Sequence, residues 1–213
     1  MLDAPHGARL ERFPKVQVMA QGDGDATFHL RVGRNVTLER DVYLRVQARG
    51  TNVLEIGDNT ILQSGTRLWL LSGSLHVGRN TILRDCVCLK TGGNLHIGDY
   101  VRIGWCTSIH CHEEIRIDDN VGLADLIMII DSDHAQDGSD TWWTKHPVLS
   151  TPVHLRRNAL VSSNCVITRG ARVGRNCVVA AGAVVRSGEY PDAWVIGGVP
   201  ATPLRALGDG DRQ

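Results

Sequence analysis

The 213-residue chain carries 23 basic and 23 acidic side chains, for a formal net charge of zero, and 42% of its residues are hydrophobic. That balance leaves no basic field to gather nucleic acid or an anionic membrane surface, and no run of about 18 apolar residues is present to span a bilayer. With no leader-like opening the chain is expected in the cytoplasm, and its six cysteines, which form no paired CxxC clusters, are expected as free core or surface thiols rather than as a zinc site or disulfides.

In chain order, residues 1–28 show no periodicity and are expected to cap one end of a repeat region. From residue 29 the sequence repeats. "VGRNVTLERDVYL" from Val32, "IGDNTILQSGTRL" from Ile56, "VGRNTILRDCVCL" from Val77, "IGDYVRIGWCTSI" from Ile97, "IDDNVGLADLIMI" from Ile117 and "VGRNCVVAAGAVV" from Val173 each place an aliphatic residue every six positions. A small or β-branched residue follows four positions after each, as at Thr60, Thr81, Cys165, Cys177 and Ala183.

A period of six is neither the 3.6 of a helix nor the length of a hairpin strand. It fits a short strand plus a corner, taken three times per coil, with starts at Ile56, Val77, Ile97 and Ile117 spaced 21, 20 and 20 residues apart. One inward aliphatic and one inward small residue per side fill a narrow triangular prism. The predicted architecture is therefore all-β, a parallel β-helix solenoid over residues 29–205, with Asn35, Asn59, Asn80, Asn120, Asn158 and Asn176 at a recurring corner that needs the left-handed conformation.

The repeat stops after Ile129 and Ile130. The next inward aliphatic is Val153 or Leu155, which sets aside residues 131–152 as an inserted loop beginning "DSDHAQDGS". Loops of that length inside a compact domain are usually functional or disordered. This one carries His134, Asp137, Trp142, Trp143 and His146, a composition suited to covering a site. Residues 206–213 form a tail, and "ATPLRALG" is expected to leave the solenoid as a short helix.

With hexads this regular, the chain resembles the left-handed β-helix, hexapeptide-repeat acyltransferases over about residues 30–205. Its end, "VGRNCVVAAGAVVRSGEYPDAWVIGGVPATPLR", is similar to the C-terminal signature of the maltose, galactoside and xenobiotic acetyltransferase branch. The stretch "DHAQDGS" resembles the HxxDG segment of xenobiotic acetyltransferases, and "IIDSDH" resembles sugar and capsule O-acyltransferases. The resemblance implies that His134 is the catalytic histidine, that acetyl-CoA or another acyl-CoA is the donor, that no metal is used, and that the active unit is a homotrimer.

Histidine suits the reaction implied, because its ordinary pKa near 6.5 lets it take a hydroxyl proton at neutral pH. Carried over by position, Ser163, Ala181, Arg186 and Arg205 match places where the family binds coenzyme A, with Arg186 one position early. Asp137, Trp142 and Trp143 are candidates for the acceptor side; a solvated turn carboxylate and a subunit contact are the other readings for these residues. Asp131 and Asp133 could orient the His134 ring or simply cap turns.

Two departures argue against a simple galactoside acetyltransferase. "LVS" at Leu160–Ser162 stands where the family often has "WIG", and an Asn one coil before the histidine is replaced near Cys106. The function expected is O-acylation of a sugar, glycan or natural-product hydroxyl. A γ-type carbonic anhydrase, which would need three zinc-binding histidines, and a non-catalytic β-helix subunit are the alternatives.

Overall fold

The computed structural model describes residues 2–3, 9–10, 15–19, 25–47 and 49–208. The chain winds as a three-walled parallel β-helix, with walls of nine, ten and eight strands and a separate two-stranded hairpin. The hexads explain the walls directly. On the first wall Ile56, Val77, Ile97, Ile117, Leu155 and Val173 stack in one register column. Leu62, Leu83, Ile103, Leu123, Val161 and Val179 do so on the second. The third wall stacks Leu44, Leu68, Leu89, Ile109, Ile129, Ile167 and Val185.

These columns are buried, and burial of their apolar surface is the main stabilising term. The small residues of the hexads fill the corners. Where such a residue is threonine its hydroxyl needs a partner, and a carbonyl of the next coil supplies it: Thr60 Oγ1 donates to Gly78 O at 2.7 Å and Thr81 Oγ1 to Gly98 O at 3.0 Å.

The expected asparagine corner has φ between 53° and 60° at Asn35, Asn59, Asn80, Asn120, Asn158 and Asn176. The corner between the second and third walls is also left-handed, but there the positions are held by Asp41, Cys86, Cys106, Leu126 and Asn164 as well as glycine. Close stacking imposes a further demand. A Cβ on Gly78 would lie 2.4 Å from the carbonyl oxygen of Gly98, so that position must be glycine.

Within the segment expected to cap the solenoid, strands Leu2–Asp3, Arg9–Leu10 and Lys15–Met19 pair in parallel with the three walls, which therefore begin before residue 29. The helix expected in "ATPLRALG" is not formed. Strand Trp194–Gly198 extends the second wall, and Ala201–Ala206 folds back on it as an antiparallel strand. That strand covers the exposed edge of the last coil, and Pro203 disfavours helical backbone at Thr202.

A candidate active site on the inserted hairpin

The corner leaving the third wall is where residues 131–152 emerge. Ser132–His134 pairs antiparallel with Val148–Ser150, placing His134 opposite Val148, so the predicted loop is a hairpin with a 3-10 turn, Trp143–Lys145, near its tip. His134 is exposed on the strand that leaves the wall.

Two aspartates fix the root of this hairpin, and of the two roles open to them from the sequence, orienting the imidazole or capping turns, Asp131 takes the second. Asp131 is fully buried and its carboxylate accepts the backbone N–H groups of His112, Glu113 and Glu114 at 2.7–2.9 Å. It ties the hairpin to the coil below. Asp133 accepts from Arg169 Nε at 2.7 Å, which ties the hairpin to the coil above. Both carboxylates are thereby engaged away from His134.

On its loop side His134 meets Trp143, ring centroids 4.8 Å apart and planes at 86°. Asp137 is exposed; the Ser139 side chain, and then the Ser139 N–H that donates to it at 2.9 Å, hold its carboxyl below the ordinary carboxylate value. It sits 3.8 Å from the enclosed Nε2 of His146 and does not face the cleft beneath His134. Trp142 is exposed without a ring partner among the described residues.

That cleft, about 640 Å³, runs from His134 toward the N-terminal coils, lined by Arg49, Lys90, His110, His112 and Ile130 among others. Burial, and then the Lys90 charge, push the His110 imidazole below the usual histidine range. Taken singly along the chain, His110 and His112 read as surface residues. Their grouping with Lys90 is encoded in the 20-residue coil period, which stacks Lys90, His110 and Ile130 in one column.

The residues matched to coenzyme A binding lie elsewhere. Ser163 and Ala181 occupy successive coils of the edge between second and third walls, where Gly182 N–H donates to Ser163 O. Earlier on that edge the N–H of Trp105 is taken by Asp125 of the next coil, at 2.9 Å. Ser163 has Ala181 stacked at the equivalent place, with no carboxylate to offer. A Cβ on Gly182 would meet nothing within 4 Å, so this stretch is an open ledge.

Arg205 is exposed on the final strand opposite Val195, which pairs with Val178 on the second wall, several residues along that wall from this ledge. Arg186 lies on the other edge, the one that carries His134, with its carbonyl accepting from Tyr190 Oη. His134 and the Ser163 ledge lie on different edges of the prism, with the third wall between them. Among the described residues no group of three His, Cys, Asp or Glu side chains is placed to hold a metal ion, and no helix is long and apolar enough to cross a membrane.

Residues 152–187 match the family model of the bacterial transferase hexapeptide (six repeats). A sequence search of curated proteins gives no match. Among solved structures the chain is similar to AntD, an N-acyltransferase from Bacillus cereus. One AntD mutant, in complex with dTDP-4-amino-4,6-dideoxyglucose and coenzyme A, superposes with a TM-score of 0.59 at 16% identity over 72% of this chain and 83% of that one. Another, with dTDP and coenzyme A, gives 0.55 at 17% identity over 73% and 84%. The chain thus carries the bacterial transferase hexapeptide repeat on the fold of these enzymes.

Proposed function

We propose that the protein is an acyl-CoA-dependent O-acyltransferase, with acetyl-CoA as donor and a hydroxyl of a sugar, glycan or natural product as acceptor. The observation that carries this reading is His134, presented over a cleft by a hairpin anchored on one coil through Asp131 and on another through Asp133 and Arg169. The hexapeptide repeat and the likeness in fold to a coenzyme-A-bound acyltransferase support it.

His134 accepts the acceptor's hydroxyl proton as that oxygen attacks the thioester carbonyl, the C–S bond breaks, and the proton ends on the departing thiol. Transfer is direct, since a thioester is already activated and no acyl-enzyme is needed. Rate comes largely from holding two reactants in line. Ser163 and Ala181 supply the ledge for the donor's amide-bearing arm, with Arg205 farther along the second wall for phosphate.

Because His134 and the Ser163 ledge lie on different edges of one prism, a complete site needs the ledge of a neighbouring copy. A trimer of prisms packed side by side meets that need, and sedimentation as a monomer would contradict it. The reading as a whole is tested by titrating acetyl-CoA into the protein and following thiol release with hydroxyl and amine acceptors. Micromolar to millimolar binding with acceptor-dependent release is expected; no binding at millimolar acetyl-CoA would overturn it.

A further inference from the structure

The cleft beneath His134 has a charge pattern that acyl transfer to a neutral sugar leaves unused. Lys90 and His110 face outward from consecutive strands of the third wall, in register with Ile130, while Arg49 and His112 approach from the adjoining corners. Lys90 is half-buried, and neither its ammonium nor the Arg49 guanidinium has an ion pair or hydrogen bond among the described residues. The acids nearby are already compensated: Asp133 by Arg169, and the buried Asp131 by three backbone N–H groups. Glu113 and Glu114 are not part of the cleft lining.

A partly desolvated cation without a counter-charge is unfavourable, and an anion entering the cleft would relieve it. His110, its pKa lowered by burial and by Lys90, is neutral at pH 7 and can donate or accept a hydrogen bond beside that anion. From the level of Lys90 to that of Ile130 is two strand spacings, roughly 10 Å, which accommodates one sugar ring.

Building on the acyltransferase reading, we propose that the cleft selects an acceptor that carries a phosphate or carboxylate, seated between Lys90 and Arg49, with its hydroxyl directed toward His134. The anion sets register in the cleft. The hydroxyl one ring away is then the one that meets the base.

The test is binding of glucose, glucose 6-phosphate, glucuronate and UDP-glucose to the protein saturated with coenzyme A. At least one anionic probe is expected to bind about tenfold or more tightly than glucose, and that preference should shrink to about threefold or less in Lys90→Met and in Arg49→Gln. Glucose 6-phosphate against glucuronate separates a phosphate from a carboxylate, and UDP-glucose tests a diphosphate. Melting curves establish that both variants fold. No tighter binding by any anionic probe, or a preference that survives in both folded variants, would overturn the proposal. Failure of the wild type to bind acetyl-CoA would instead remove the acyltransferase reading, whereas acetyl-CoA binding without anion preference removes only the anionic acceptor.

Discussion

The edge of the His134 imidazole rests against the indole of Trp143, with ring centroids 4.8 Å apart and planes at 86°. Trp143 is itself 53% exposed, so its contact with His134 is a better account of its place than core packing. Aromatic pairs of this kind contribute about 0.5–1.5 kcal/mol. Trp143→Ala is therefore expected to lower kcat/KM by up to about tenfold, and Trp143→Phe to recover most of it, as read by initial rates of thiol release. Wild-type rates in Trp143→Ala would show that the ring does not position the base.

Asp131 anchors the hairpin through three backbone N–H groups. Asp131→Ala removes the acceptor of all three part-buried hydrogen bonds, at a cost of about 3 kcal/mol. For a chain of this size the melting temperature should fall by roughly 6–12 °C. A drop under about 2 °C would mean that water replaces the carboxylate without penalty.

Much of this architecture is legible in the sequence because a hexad admits few solutions. The column from Ile56 through Val173 follows from aliphatic spacing alone, and so does the point at which residues 131–152 leave the wall. Local periodicity does not show how that insertion folds. Along the chain Asp131 and Asp133 read equally as partners of the adjacent histidine or as turn caps, and the sequence does not show that their partners are His112, Glu113, Glu114 and Arg169, brought near only by stacking of coils. Lys90 and His110 come together only at the scale of a whole coil. The final strand Ala201–Ala206 reads as a helix along the chain because its pairing with Trp194–Gly198 depends on the open edge of the last coil.

Acid should weaken the fold well above the carboxylate range. Burial lowers the His96 and His110 pKa values from 6.5, helped by Arg116 at His96 and by Lys90 at His110. Such groups bind more protons unfolded than folded, so their stability is complete above about pH 6.5 and is lost as pH falls toward the folded value. Asp58, lowered first by the Arg34 backbone N–H, acts in a separate window below its ordinary 3.8. The melting temperature should decline between pH 7.5 and pH 5, less steeply in a His96→Gln, His110→Gln double variant. An unchanged slope would place the pH dependence in other groups.

Thiol labelling reads the prism's interior. Cys86 and Cys106 are exposed at left-handed corners, whereas Cys111, Cys165 and Cys177 are buried. Burial pushes the Cys111 thiol up to about 12 and that of Cys177 to about 11, and also raises Cys88 and Cys165. An aromatic disulfide reagent at pH 8 should modify Cys86 and Cys106 rapidly and the other four only on unfolding. Rapid reaction of Cys165 or Cys177 in the folded protein would contradict the packing described.

The most direct measurement compares His134→Ala with the wild type in acetyl transfer, with coenzyme A affinity determined for both. The imidazole stands on an exposed strand that contributes nothing to the buried columns, so the variant should fold and bind coenzyme A as the wild type does. Loss of the proton acceptor should reduce kcat by about 10²–10⁴-fold. A variant that binds coenzyme A and transfers acetyl at the wild-type rate would contradict the assignment of His134 as the base.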